Sequence, residues 1–193
     1  MTSIKKTLLS LLTITAVFLG LSLRAQAKET PTELPGLSIG ETIPEFNLKN
    51  AAGESVSSQS LLAEDKTLAV VFFRSAGWCS FCKKHLSELN ARLDDLGAAG
   101  VKVVGISYDS VDTISSFSEK SGIQFPLLSD KNSKVIDGFK VRNKGATKGK
   151  AVGVPHPVLF LVDSKGVVAA KLGYEGYKKR PPADEIIAAV KDL

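Results

Sequence analysis

Cysteine and histidine are scarce in this chain of 193 residues, with two of each. The four lack the spacing of a zinc finger or ribbon, which argues against a structural zinc module. Cys79 and Cys82 are separated only by Ser80 and Phe81. A disulfide across so short a loop removes little entropy from the unfolded chain, and as a staple alone it would do little. Excess charge is lacking too. The formal charge of +5 arises from 25 basic and 20 acidic residues. Lys5, Lys6 and Arg24 fall in an N-terminal segment that has no acid, and without them 22 basic residues face 20 acidic ones. That near-balance gives no case for a nucleic-acid partner. Internal repeats are missing, and so are long apolar runs beyond the start.

The start is different. Lys5 and Lys6 precede an uncharged apolar run from Thr7 to Leu23, and Ala25-Gln26-Ala27 follows. Positive residues, an apolar run and a small-x-small site make a secretory signal peptide, residues 1–27, with cleavage expected after Ala27. The mature protein is then soluble and exported, periplasmic or otherwise outside the cytoplasm. The run approaches the length that spans a bilayer, so a membrane association follows only if the segment stays uncleaved. Residues 28–39 carry prolines and no apolar period and read as a flexible leader. The 166 residues from Lys28 suffice for one domain with a full core, placed at residues 40–193.

Within that domain, Gly40 to Val56 suggests a hairpin turning at Ala52-Gly53, and Ser60 to Ala63 a helical turn. Thr67 to Phe73 is a continuous apolar run of strand length, hence a strand covered on both faces. Cys82, Leu86, Leu89, Leu93 and Leu96 then recur with helical spacing up to Gly97 and Gly100. Val101 to Ile106 is a second buried strand. Two buried strands joined by a helix form a parallel, right-handed βαβ unit, with the cysteines at the carboxyl end of its first strand. Helices are expected over Thr113 to Lys120 and Lys134 to Phe139, with a strand at Phe125 to Leu128 between them. Pro157 to Val162 and Val167 to Leu172 read as a hairpin closed by Asp163-Ser-Lys-Gly166, before a last helix over Ala183 to Leu193.

A Cys-x-x-Cys pair where a strand ends and a helix begins has chemical consequences. Cys79 falls at the helix N-terminus, where unpaired backbone N–H groups and the helix dipole favour a thiolate. It is expected to be exposed and to attack. Cys82, one turn on and in line with Leu86 and Leu89, is expected to point inward and resolve. Lys83 and Lys84 add positive charge, or are simply solvated.

Trp78-Cys79-Ser80-Phe81-Cys82-Lys83 after an apolar strand resembles the active site of the thioredoxin superfamily. Gly40-x3-Pro44-x-Phe46-x-Leu48 and Gly153-Val-Pro-His156-Pro157 through Asp163-x-x-Gly166 resemble the AhpC/TSA, or redoxin, branch, so the likeness covers nearly all of the mature chain. It implies an α/β thioredoxin-like fold, a central mixed β-sheet flanked by helices, with an N-terminal β-hairpin extension. It also implies that Pro157 is the family's cis-proline, presenting substrate backbone opposite Cys79, with Trp78 and His156 beside the substrate. Two departures stand out. With the peroxidatic cysteine of this branch aligned on Cys82, its Pro-x3-Thr-x2-Cys pattern puts Ser75 at the proline and Cys79 at the threonine, and its active-site arginine falls on Pro157, leaving Arg74 as a nearby substitute. The buried acid of thioredoxin has no counterpart in Thr67 to Phe73.

His85 reads as a partly exposed helix residue. His156 is either a tuner of the Cys79 thiolate or, with Cys79 and Cys82, a copper ligand, as in copper-delivering thioredoxin-fold proteins, which however carry Cys-x3-Cys. The basic loop Lys140, Arg142, Lys144, Lys148 and Lys150 reads as solvated, or as a docking surface. The main expectation is an exported thiol–disulfide oxidoreductase that cycles a redox-active Cys79–Cys82 disulfide with protein or small-molecule thiols and disulfides and an unidentified electron donor or acceptor, without cofactor or metal. A thiol-dependent peroxidase and a copper-binding chaperone are the alternatives. Oxidant, reductant and isomerase all stay open, since potentials in the superfamily run from about −270 to −120 mV.

Overall fold

The computed structural model describes residues 33–62 and 66–193, so the expected signal peptide lies outside the described residues. Among those described, no helix is long and apolar enough to cross a membrane.

Seven strands form one mixed sheet: β1 (Asn47–Asn50), β2 (Ser55–Ser57), β3 (Thr67–Phe72), β4 (Val101–Ser107), β5 (Leu127–Ser129), β6 (Val158–Val162) and β7 (Val168–Gly173), in the order β2-β1-β5-β4-β3-β6-β7. β3 runs parallel to β4, with Thr67 opposite Val101, and β4 parallel to β5. β6 lies antiparallel on the other side of β3, with Val71 opposite Leu159. The N-terminal hairpin is built into this sheet, because β1 pairs antiparallel with β5. Its turn forms where the Asn50 side-chain oxygen accepts the N–H groups of Ala52 and Glu54, which is the local reason an asparagine suits that place. Asp163 does the same for Lys165 and Val167 between β6 and β7.

β3 reads as a continuous apolar run because its two faces feed two cores. Ala69, Val71 and the following Phe73 pack with Leu86 and Leu89 of α2 (Ser80–Asn90), Leu96 of α3 (Leu93–Ala98), Ile114 and Phe117 of α4 (Val111–Ser121) and Ile186 of α6 (Ala183–Lys191). Leu68, Val70 and Phe72 face Leu61 of α1 (Ser58–Leu62), Ile136 of α5 (Lys134–Gly138) and the rings of Phe139 and Phe160. The apolar stripe expected as one helix is two, with Ala91 capping α2 and Arg92 opening α3.

The described part of the expected flexible leader, residues 33–39, lies on the domain. Leu37 is buried and donates its N–H to the Phe139 carbonyl, while Lys171 reaches the Leu34 carbonyl. Gly36 permits this approach. At φ +111° a side chain is strained, and a Cβ there would come within 2.4 Å of the Phe160 ring.

Candidate active site

β3 ends at Phe72, and the next residues turn into α2 under the control of one buried acid. Asp109, just past β4, accepts the Ser75 hydroxyl at 2.7 Å, the Ala76 N–H at 2.6 Å and the Ser107 hydroxyl at 3.0 Å. Ser75 Oγ in turn accepts the N–H groups of Gly77 and Trp78. A serine where the resembling family carries proline thus folds the loop by hydrogen bonds instead of by a ring.

Cys79 is the N-cap of α2. Its backbone is extended (φ −95°, ψ 100°), and its sulfur accepts the Cys82 N–H at 3.3 Å. Cys79 and Cys82 are joined in a disulfide with Cα atoms 5.2 Å apart. The helix terminus therefore meets Cys79 as the sequence implies, but Cys79 is 4 % exposed, against the expectation of an exposed thiol, and Cys82 is wholly buried. Both sit in the same apolar cluster as Ala76, Leu86 and Leu159.

The charge that reaches the pair comes from a distance. Arg180 Nη2 lies 3.9 Å from Cys82 Sγ. Burial first, and then the charge of Arg74, push Arg180 down to about 10, so it remains a cation at neutral pH. Arg74 follows β3 and is held between two rings, 4.8 Å from the centre of Trp78 and 4.6 Å from that of Tyr177. The Nε atoms of both arginines are buried without a hydrogen-bond partner. Among the described residues no carboxylate stands within ion-pair distance of either. Trp78 itself is fixed by its indole N–H, which donates to the Tyr108 hydroxyl at 2.8 Å, and Tyr108 donates on to the Lys150 carbonyl. The Lys150 ammonium sits 5.4 Å above the Trp78 ring. The end of the basic loop is thus part of this wall, whereas Lys140 and Arg142 are paired with Glu41 and Asp137.

Pro157 and His156 are placed otherwise than expected. The bond between them is trans. Val158 donates to the His156 carbonyl, closing a three-residue turn around Pro157 that a trans proline fits. The backbone expected to receive a substrate strand is already paired, since His156 N–H donates to the Val141 carbonyl and Asn143 N–H to the Val154 carbonyl. No hydrogen bond joins His156 to either sulfur among the described residues. It lines a cavity of about 240 Å³ with Leu34, Pro35, Pro157 and Tyr174, and burial alone lowers its pKa. The copper reading needs His156 with both sulfurs, and no three potential ligands converge among the described residues.

His85 is buried, not partly exposed. It occupies the inward stripe Cys82, His85, Leu86, Leu89, a spacing that the sequence already contained. Its Nε2 donates to the Pro181 carbonyl at 2.9 Å, which requires the proton to be on that nitrogen. This bond ties the residue after Arg180 to α2. Burial, the largest cause, pushes His85 down to about 4. Above its unfolded value near 6.5 both states are neutral and its contribution is complete. As the pH falls toward 4 only the unfolded chain takes the proton, so stability is lost, by up to about 3 kcal/mol. Chemical denaturation at stepped pH is expected to show this extra loss in the wild type relative to His85→Gln, which keeps a donor but cannot titrate. Parallel curves for the two proteins would disprove it.

The sequence pattern of the AhpC/TSA family matches residues 39–171. Peroxiredoxin Bcp of Escherichia coli (strain K12) is 31 % identical over 132 residues, covering 68 % of this chain and 83 % of that protein. A putative peroxiredoxin of Mycobacterium tuberculosis (strain ATCC 25618 / H37Rv) is 31 % identical over 138 residues, 71 % of this chain and 85 % of that one. Among solved structures, Xanthomonas campestris peroxiredoxin Q superposes with a TM-score of 0.65 at 26 % identity, covering 76 % of this chain and 90 % of that one. Peroxidoxin BcpB from Mycobacterium tuberculosis gives 0.70 at 22 % identity over 83 % and 99 %, a likeness of fold.

Proposed function

Because the chain belongs to the AhpC/TSA family and is a thiol-based redox enzyme, we propose that it is a thiol-dependent peroxidase whose reduced Cys79–Cys82 pair is oxidised by small hydroperoxides. The observation that carries this reading is Arg180 beside Cys82 Sγ. A cation at that sulfur favours its thiolate and faces the charge that develops when a peroxide O–O bond breaks. The Cys82 thiolate attacks one peroxide oxygen, the O–O bond breaks, and the other oxygen leaves as alcohol or water with a proton. The Cys82 sulfenic acid then condenses with the Cys79 thiol, releasing water and leaving the disulfide. Cys79 is only one helical turn away, so resolution needs no unfolding.

Thiol–disulfide exchange, the main expectation from the sequence, becomes the second half of this cycle. In it Cys79 is the sulfur that joins the reductant, and Cys82 the one that leaves toward Arg180. With Cys82 wholly buried and Cys79 nearly so, the reading favours small substrates. The N-terminal segment supports action outside the cytoplasm, and fractionation of cells expressing the full chain would check it.

The test is to mix reduced protein with hydrogen peroxide or tert-butyl hydroperoxide and follow the single tryptophan, Trp78, by stopped-flow fluorescence. Loss of two thiols per peroxide is expected, at least about a hundredfold faster than free cysteine at the same pH. A rate no better than that of free cysteine would refute the peroxidase and leave disulfide exchange as the activity.

A further inference from the structure

The disulfide form presents an electrostatic imbalance. Arg74 and Arg180 are close enough that the charge of one lowers the pKa of the other, both have a buried Nε without a partner, and no acid among the described residues compensates them. Uncompensated charge of one sign inside a protein is costly unless something completes it. A Cys82 thiolate at the 3.9 Å that separates this sulfur from Arg180 Nη2 would do so for that guanidinium. Forming the disulfide removes that anion and leaves both guanidinium groups in place, with Lys150 over Trp78 adding to the field.

We propose that the Arg74–Arg180 pair is an anion subsite, open in the disulfide form, that recruits a carboxylate-bearing low-molecular-weight thiol as the reductant. The species that next meets the oxidised protein is the electron donor, and its attacking thiolate already carries one negative charge. Small size follows from the surroundings. Cys79 is 4 % exposed and Cys82 wholly buried, while Phe81, between them in the chain, stands edge to face with Tyr177 at 6.2 Å, the two rings being 40 % and 45 % exposed. Direction of attack follows from the leaving group, since the sulfur of lower pKa leaves faster. Arg180 stabilises Cys82 as a thiolate, so the reductant sulfur bonds to Cys79 Sγ, the S–S bond breaks, and Cys82 takes the electron pair. A second molecule of the same thiol attacks the reductant's sulfur, releasing Cys79 as thiolate and carrying away the donor's own disulfide. Two donor thiolates are oxidised and one protein disulfide is reduced. Only this reductive half is at issue, and it is shared by the peroxidase and the exchange readings.

The experiment is to reduce the disulfide form with mercaptopropionate, mercaptoethanol or cysteamine and to compare rates per thiolate, corrected for basicity. At low ionic strength mercaptopropionate is expected to exceed mercaptoethanol by about tenfold or more, with cysteamine slowest. Added salt should compress the order, and propionate should compete with mercaptopropionate. Arg74→Gln should flatten the charge dependence; if that variant does not fold, the salt and propionate measurements on the wild type decide alone. Rates ranked by basicity only, insensitive to salt and propionate, would overturn the subsite. Failure of the peroxidase reading is separately visible, because slow oxidation by peroxide leaves these reduction rates unchanged.

Discussion

Reduced protein carrying Cys79→Ser is expected to take up one oxygen atom from hydrogen peroxide and stop at a sulfenic acid on Cys82, whereas Cys82→Ser is expected not to react beyond the rate of a free thiol. The reason is the asymmetry of the pair. Cys79 has the N–H groups of the first turn of α2, since its sulfur accepts from Cys82 N–H, while Cys82 has the Arg180 guanidinium at 3.9 Å. A helix terminus contributes partial charges and Arg180 a full one, in a site shielded from solvent, so the second effect is the larger. With a thiol partner the roles separate. Cys82→Ser keeps the sulfur that enters mixed disulfides and lacks the one that releases them, so it should accumulate adducts that Cys79→Ser does not. Intact-mass spectrometry after one equivalent of peroxide, and after a thiol-exchange mixture, reads both. Oxygen uptake by Cys82→Ser alone would transfer the peroxide chemistry to Cys79.

Much of the fold is legible in the chain because its signals are local. The apolar run from Thr67 has the length of a strand, the stripe through Leu86 and Leu89 has helical spacing, and Asn50 and Asp163 announce turns whose hydrogen bonds they supply. Trp78, Cys79 and Cys82 are legible for the same reason. What surrounds them is not. Arg180 lies 98 residues beyond Cys82, and Asp109 lies 34 beyond Ser75. Neither falls in a periodic pattern, and only the folded sheet and the docking of the segment before α6 bring them in. Likeness to a family placed His156 and Pro157 opposite Cys79 with a cis bond, but here the segment Val141 to Asn143 already occupies that backbone edge. Proline stands at the family's arginine position, and the guanidinium that the fold does bring to Cys82 is that of Arg180. His85 was within reach of the sequence, being three residues after Cys82 and on the same inward stripe, yet its partner, a proline carbonyl 96 residues away, was not.

Replacing Arg180 with methionine is expected to slow oxidation by hydrogen peroxide at neutral pH by about tenfold to a hundredfold. An opposite charge within about 4–6 Å moves a pKa by about 1–3 units, so losing the guanidinium cuts the thiolate population and also withdraws charge from the breaking O–O bond. Methionine fills similar volume without charge, which keeps the apolar stem of the side chain packed. Two readouts separate this from damage to the fold. The pH–rate profile should move to higher pH, since a thiol of raised pKa is deprotonated only at higher pH, and Arg180→Lys should recover part of the rate, because the ammonium restores charge but not the planar fork. Stability should not fall with the rate, as Arg180 and Arg74 repel one another in the disulfide form and neither has a carboxylate partner among the described residues. His85→Ala should reproduce a weaker version of the same shift by freeing the Pro181 carbonyl from α2. Stopped-flow fluorescence across pH, alongside thermal denaturation of the oxidised proteins, measures all of these. A profile that stays in place while the rate drops would mean that Arg180 acts on the peroxide alone, and an unchanged rate would remove it from the chemistry altogether.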